Sequence, residues 1–172
     1  DRAGLGNSSL YATLLSGRGN LLYQQGSYTE AEPLFIKAIE IEKKGKRESS
    51  HDYAIYTGML GDIYTREGNF DKAEILLMES MSLRKTLYGD QHLEFGNAVL
   101  RLAEFYGEVG QFQKGLELFI QAIDILREAL GKNHPDFAIL ITKAAGFAYA
   151  AGDLKNAQIL YQLSMDLSKK AF

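Results

Sequence analysis

The chain has 172 residues, no cysteine and a formal net charge of −3, from 19 Lys and Arg against 22 Asp and Glu. This length suits a single domain, and the charge balance argues against a nucleic-acid-binding protein, which needs a concentrated basic surface. The lack of cysteine excludes disulfides, thiolate nucleophiles and cysteine-ligated zinc, and no apolar run reaches the roughly 20 residues that span a bilayer.

Five residue columns recur every 42 residues along the chain. They are Gly26, Gly68, Gly110 and Gly152; Tyr11, Tyr53, Phe95 and Phe137; Tyr28, Phe70, Phe112 and Leu154; Ala31, Ala73, Gly115 and Ala157; and Phe35, Leu77, Phe119 and Tyr161. Chance does not align five matched columns without a gap, so the chain is read as four repeats. We place them at 11–52, 53–94, 95–136 and 137–172, the last without a connecting loop or capping helix. We interpret residues 1–10 as the remnant of a preceding repeat or a linker.

Each repeat is predicted to contain two helices. In the third repeat, Val99, Leu102 and Tyr106 have the spacing of a helical apolar stripe, which predicts a first helix over 95–109. The recurring glycine then ends this helix in a left-handed conformation. The second helix begins after an N-cap position, which is Ser27, Asn69, Gln111 or Asp153.

The second helix has its own boundary signals. Ser27 and Glu30 have the spacing of a capping box at its start, and Gly89 or Gly131 follows its end. Pro135 suits the first turn of the next repeat. Small residues let the paired helices approach closely, and each pair must stack on its neighbours to bury its faces. These small residues are the alanine-rich column at 31, 73, 115 and 157, with Gly19, Gly61, Ala103 and Ala145.

This pattern resembles a tetratricopeptide repeat (TPR). The resemblance sets the Gly19 column on the family's eighth position, the Ala31 column on its twentieth and the Phe35 column on its twenty-fourth. The usual repeat has ~34 residues, and the longer repeat here, with Leu-Gly-Lys-Asn-His-Pro-Asp at 130–136, is similar to the kinesin-light-chain-like subclass. The resemblance implies an all-α, right-handed superhelical solenoid of four helix–turn–helix repeats. Arg18, on a normally apolar position, and Gly115, where alanine is expected, depart from the pattern.

The resemblance also implies where a ligand would bind. In the family, the second, fifth, ninth, twelfth and thirteenth positions of each first helix line a concave groove, and we call them the groove positions. The candidates carried over are Asn20, Tyr23, Gln24, Asp62, Thr65, Arg66, Asn97, Glu104, Glu108, Thr142 and Tyr149. The remaining groove positions are Thr13, Ser16, Ile55, Gly58, Leu100, Gly107, Ile139, Gly146 and Ala150.

The identity of the groove residues limits the kind of ligand. Ser16 stands where the chaperone-binding members have the first lysine of their carboxylate clamp, which argues against that role. Asp62, Glu104 and Glu108 make the middle of the groove mildly acidic, and the positive charge of Arg66 offsets part of this. We therefore expect a protein or peptide partner that is neutral to basic, with an apolar anchor near Tyr23 or Tyr149.

No residue pattern predicts catalysis, a cofactor or a metal. His92 and His134 occupy equivalent loop positions, but stacked repeats hold them ~10 Å apart, so a structural role is expected. Glu40 and Glu42 are two residues apart, do not share a helix face and are expected to be solvated. The basic run 43–47 is interpreted as a solvated helix end, with an edge site for an acidic partner as the alternative.

The sequence thus predicts a non-enzymatic protein-interaction scaffold, and a cytoplasmic location is our expectation. The rival interpretation is a structural spacer or self-association module of a larger protein, stacking end to end. Its exposed surfaces would be Tyr11, Leu14 and Leu15 at one end and Leu160, Leu163 and Leu167 at the other. We interpret the chain as a segment of a longer array or a domain of a larger protein.

Overall fold

The computed structural model describes residues 8–130, 134 and 136–171, and this part of the chain is all-α. Its helices are α1 (Ser9–Gln24), α2 (Tyr28–Lys44), α3 (His51–Arg66), α4 (Phe70–Tyr88), α5 (Leu93–Glu108), α6 (Phe112–Leu130), α7 (Asp136–Ala150) and α8 (Leu154–Ala171). The predicted helical-repeat fold class is confirmed. The expectations for residues 1–7, Gly131, Pro135 and Phe172 lie outside the described residues.

A tight turn of one kind separates the two helices of every repeat. Its glycine has a positive φ each time: 78° at Gly26, 76° at Gly68, 79° at Gly110 and 82° at Gly152. The next residue donates its N–H to a carbonyl five residues back, as from Ser27 to Leu22 at 2.9 Å. This is the Schellman arrangement, which only glycine adopts without strain, so the predicted helix ends are confirmed.

The first helices begin earlier than the repeat boundaries suggest. Helices α1, α3 and α5 start at residues 9, 51 and 93, because side chains just before them cap their N-termini. Ser8 and Ser50 accept from the N–H groups of Tyr11 and Tyr53, at 3.2 and 3.1 Å. His92 Nδ1 accepts from the N–H of Glu94 at 3.1 Å, which gives this histidine the structural role expected of it.

The predicted capping box at the start of α2 is wrong. Ser27 is the N-cap residue, but with ψ at 63° its side chain makes no capping hydrogen bond. Its backbone instead closes the preceding turn, and its carbonyl accepts from Ala31 at 3.1 Å. The fourth repeat has a true side-chain cap, since Asp153 Oδ1 accepts from the N–H of Asn156 at 3.1 Å.

The chain divides into two compact units, residues 1–87 and 88–172. In unit 1, α2 packs against both α1 and α3. In unit 2, α6 packs against both α5 and α7, and α7 packs against α8. Within each unit, the second helix of the earlier repeat, α2 or α6, therefore contacts the first helix of its own repeat and that of the next, which is the nearest-neighbour packing of a repeat protein.

Small residues on the first helices allow the close approach that the sequence predicts. A Cβ atom on Gly19 would lie 2.7 Å from Cε2 of Phe35, and one on Gly61 would lie 2.8 Å from Cγ of Leu77. Both distances are too short for carbon atoms in contact. These glycines therefore admit the large side chain of the second helix, and Phe35 is completely buried as a result.

The structure explains why Gly115 departs from the alanine of its column. Phe147 of α7 inserts between α5 and α6, with its ring centroid 4.8 Å from that of Phe119. A Cβ atom on Gly115 would lie 2.5 Å from Cε1 of Phe147 and 3.0 Å from the carbonyl oxygen of Ala103. Gly107 meets the same ring from α5. The absence of a Cβ atom at Gly107 and at Gly115 thus makes room for the ring of Phe147.

Gly115→Ala and Gly17→Ala are expected to change stability in opposite directions. Both glycines lie inside helices, where alanine gains about 1 kcal/mol in helix propensity. Nothing lies within 4 Å of a Cβ atom on Gly17, so that gain should appear in full. At Gly115 the clash with Phe147 should outweigh it and leave a net loss of about 1 kcal/mol. Urea unfolding followed by circular dichroism checks both, and equal shifts of the two midpoints would contradict the packing argument.

Glu42 is not solvated, contrary to the expectation from its spacing with Glu40. It is fully buried near the end of α2. Arg47 Nε donates to its Oε2 at 2.8 Å, Ser9 Oγ donates to its Oε1 at 3.0 Å, and Ser50 lies within 3.4 Å. The hydrogen bond to Glu42 raises the pKa of Arg47. Part of the basic run 43–47 is therefore structural, since Arg47 neutralises a buried carboxylate that joins α1, α2 and the cap of α3.

The apolar side chains expected at the two ends of the array are only partly exposed. On α1, Leu15 is buried and Leu14 is exposed. On α8, Leu160 and Leu167 pack against the core of unit 2, and Leu163 is exposed. Residues of the expected set therefore divide between the core and the surface, because helical spacing turns neighbouring positions to opposite sides.

Candidate ligand groove

The groove positions of α1 lie beside the turn into α2. Asn20 and Tyr23 are half-buried and Gln24 is exposed. The ring of Tyr23 packs on that of Tyr28, with centroids 5.3 Å apart and planes at 59°. Tyr23 therefore supports the turn of its own repeat and offers a ligand only part of its ring.

Hydroxyl groups near the start of α1 contact one another and α3. Thr13 Oγ1 donates to the carbonyl of Ser9 at 3.0 Å and lies 3.4 Å from Oη of Tyr56. Ser16 Oγ is buried and donates to the carbonyl of Thr13 at 2.9 Å. Burial raises the pKa of Tyr56, although hydrogen bonds with Thr13 and Ser16 lower it. This hydroxyl cluster is engaged within unit 1.

On α3 the groove positions are more enclosed. Asp62 and Thr65 are half-buried and Arg66 is exposed. Thr65 Oγ1 donates to the carbonyl of Gly61 at 2.9 Å. Gly58 is buried, and a Cβ atom there would lie 2.8 Å from Oγ of Ser80 on α4. The fifth position of this repeat thus faces its own second helix.

The same orientation holds at the fifth position of the fourth repeat. Thr142 Oγ1 donates to the carbonyl of Ala138 at 2.7 Å and lies 2.6 Å from Oγ of Ser164 on α8. Ser164 Oγ in turn lies 2.8 Å from that carbonyl oxygen. Although Thr142 is exposed, its hydroxyl is held within the α7–α8 pair.

An ion pair joins the first helices of unit 2. Lys143 Nζ on α7 donates to Oε1 of Glu104 on α5, and both side chains are partly exposed. Glu108, one turn further along α5, is exposed. Glu104 is therefore matched by a cation, and this part of the groove is less acidic than its groove positions alone suggest.

Lys143 was missed because it occupies none of the five groove positions. A signal was present in the sequence, because Lys143 follows Glu104 by 39 residues, which is three fewer than the 42-residue repeat. That offset places the two side chains next to each other on adjacent first helices. Arg101 holds the equivalent position one repeat earlier.

Apolar groove positions are most exposed on α7. Ile139 is 60% exposed and Tyr149 is 65% exposed. On α5, by contrast, Asn97 and Leu100 are half-buried. Of the two tyrosines near which the sequence analysis expects the ligand's apolar anchor, Tyr149 has far more surface available than Tyr23, whose ring packs on Tyr28.

No arrangement for metal binding occurs among the described residues, where no three His, Asp or Glu side chains are grouped to hold an ion. His92 caps α5 and its ring stacks on that of Tyr88, with centroids 4.8 Å apart. His134 packs edge-on against Phe137 at 6.2 Å. Both histidines therefore have structural contacts.

A family profile described as tetratricopeptide repeat matches residues 10–94 and 95–170. The chain belongs to the tetratricopeptide repeat family. TPR domains generally mediate protein–protein interaction, and proteins of this kind are typically non-enzymatic scaffolds. A comparison with curated proteins finds no match for this TPR chain. None of its described helices is both long and apolar enough to span a membrane.

Solved structures with the same fold are similar to this TPR chain. A crystal structure of BtubC (BKLC) from P. vanneervenii has 19% identity and a TM-score of 0.86, and the match covers 92% of this chain and 63% of that one. A crystal structure of a Podosopora anserina putative kinesin light chain with nearly identical TPR-like repeats has 21% identity and a TM-score of 0.76, covering 92% and 75%. The TPR chain thus spans less than two thirds of the first of these proteins.

Proposed function

We propose that this TPR chain is a non-enzymatic scaffold that binds a peptide or helical segment of a partner protein at the groove positions of its first helices. Family membership supports protein binding. The observation that carries the choice of surface is the exposure of Ile139 and Tyr149 on α7. Large apolar side chains that are exposed to solvent are typical of surfaces that bind a partner's anchor residue.

The chemistry of the groove positions suggests the partner's character. Ile139 and Tyr149 are ten residues, about 15 Å, apart along α7, so separate aliphatic or aromatic side chains of the partner would pack against each and supply most of the affinity. The acidic groove residues Glu104 and Glu108 of α5 favour a neutral to basic segment, and Lys143 offsets part of the charge at Glu104. Charge at the rim would set orientation and association rate more than affinity.

Pull-down from a lysate followed by binding of the purified partner tests this proposal. Ile139→Lys with Tyr149→Lys should weaken binding at least about tenfold, since apolar anchors contribute most at interfaces. Ile75→Lys is the matched control: Ile75 is exposed on the second helix α4 and should leave binding unchanged. All variants must show the helical circular dichroism of the wild type. Equal binding by the groove variant and the wild type would reject the groove as the binding surface.

A further inference from the structure

The turn that joins α2 to α3 carries the longest run of positive charge in the sequence. Residues 43–50 contain three lysines and Arg47, with Glu48 as the single acidic residue. The equivalent stretches of the next two repeats, 85–92 and 127–134, contain one and two lysine or arginine residues. The concentration of positive charge therefore belongs to the first repeat, in a chain whose net charge is −3.

Three of these four cations are available to a ligand. Arg47 is not, because its guanidinium group pairs with the buried Glu42. The other three are exposed, and we call them the basic edge: Lys43, Lys44 and Lys46. Within the part of the chain that the structure describes, no carboxylate forms an ion pair with any of the three. Their positive charges therefore face solvent.

The turn that carries the basic edge has a fixed conformation. The N–H of Lys46 donates to the carbonyl of Lys43 at 2.9 Å. Gly45 leaves room for the guanidinium group of Arg47, with which a Cβ atom at this position would collide. The ammonium group of Lys43 lies 5.9 Å from the ring centroid of Tyr53 on α3. A ligand that binds such a turn loses less of the binding free energy to the ordering of a loop.

Lys46 has a backbone conformation that favours glycine. Its φ is 56°, and every other described residue with a positive φ is a glycine. A side chain in this left-handed region strains the backbone. The turn itself uses only the backbone of Lys46, because no described residue makes a hydrogen bond, ion pair or ring contact with its side chain. Glycine would close the same turn with less strain, which indicates a role for the charge of Lys46.

The surroundings of the basic edge favour a protein ligand over a membrane or a nucleic acid. Residues 22–69 are all described, and none of them is an exposed large aliphatic or aromatic side chain that could insert into a bilayer. Three lysines in an acidic chain also fall short of the extended basic surface that follows a phosphate backbone. TPR domains, by contrast, generally mediate protein–protein interaction.

We propose that the basic edge binds an acidic segment of a partner protein. Aspartate and glutamate carboxylates of that segment pair with the ammonium groups of Lys43, Lys44 and Lys46. None of these lysines is a groove position, and the groove favours a neutral to basic segment, so the edge is a second site with the opposite charge preference. Exposed ion pairs are individually weak and are screened by salt, so the edge mainly orients the partner and speeds its association.

Fluorescence anisotropy of a labelled oligoglutamate peptide, titrated with the chain, tests the proposal. The peptide should bind at low ionic strength and dissociate as salt is added. Lys44→Gln with Lys46→Gln should weaken binding about fivefold, as expected for the loss of two exposed ion pairs. The matched control is Lys72→Gln with Lys155→Gln, which removes the same charge from exposed sites on α4 and α8. It should bind the peptide like the wild type.

Lys46→Gly separates the charge from the turn. It should weaken peptide binding and raise the urea midpoint, because the relief of the positive φ outweighs the greater freedom of glycine in the unfolded chain. A lower midpoint overturns the proposal, since the Lys46 side chain would then be required for folding. Equal binding by the edge and control variants also overturns it, as does binding of an RNA oligonucleotide or phosphatidylserine vesicles in place of oligoglutamate. These results leave the groove untested, because its own variants are at Ile139 and Tyr149.

Discussion

Replacing Arg47 with methionine is expected to destabilise the chain more than removing Arg47 and Glu42 together. The single change leaves the fully buried Glu42 carboxylate without its cation, with only the Ser9 and Ser50 hydroxyls as partners. An uncompensated buried charge is costly, whereas a buried pair can often be replaced by apolar residues at little cost. Urea unfolding followed by circular dichroism measures the difference.

The double variant Glu42→Leu with Arg47→Met provides the matched comparison. Leucine is a reasonable substitute, because the equivalent residue of the third repeat is Leu126, which is buried in the core of unit 2. We expect the double variant to lie within about 1 kcal/mol of the wild type. If its urea midpoint were as low as that of Arg47→Met alone, the ion pair would not be the reason for the loss.

Phe119→Ala is expected to cost about 3 to 5 kcal/mol of the free energy of unfolding. Phe119 is completely buried and packs on Phe147, so alanine leaves a cavity at the contact between α6 and α7. Tyr161 occupies the equivalent position on α8 but is exposed over much of its surface. Tyr161→Ala should therefore cost only about 1 kcal/mol.

The two substitutions remove an aromatic ring from the same repeat position, so their difference isolates burial by a following repeat. Urea midpoints of both variants, measured at a concentration where the wild-type chain is monomeric, give the comparison. Equal losses would mean that the aromatic side chain at this position is stabilised mainly by contacts within its own helix pair. In that case the packing between neighbouring repeats would contribute little, and the fold would lack the coupling expected of a repeat protein.

Features that depend on one repeat alone could be predicted from the sequence. The glycines at 26, 68, 110 and 152 mark helix ends because their positive φ is a local requirement. The small columns at Gly19 and Gly61 indicate close helix contact for a similar reason, since the large partner lies within the same repeat. Local chemistry and the 42-residue period are sufficient for both.

Contacts made by residues outside the five recurring columns could not be predicted in this way. The spacing of Glu42 and Glu40 predicts that Glu42 is solvated. Its burial is possible because Arg47, Ser9 and Ser50, all outside α2, pair with its carboxylate. The Glu104–Lys143 pair likewise joins two helices of different repeats. For the candidate groove, the sequence supplied the positions but not their exposure, and which of them bind a ligand stays a prediction.

The space left at Gly115 has a consequence for how the repeats can be arranged. The other three repeats have alanine at this position, and an alanine methyl group would collide with Phe147. A chain in which another repeat is exchanged for the third would therefore pack less well against the fourth, even though every repeat has the same helices and turns. The order of the repeats therefore depends on how well neighbouring repeats pack together. An engineer who lengthens or shuffles this array must transfer Gly107, Gly115 and Phe147 together.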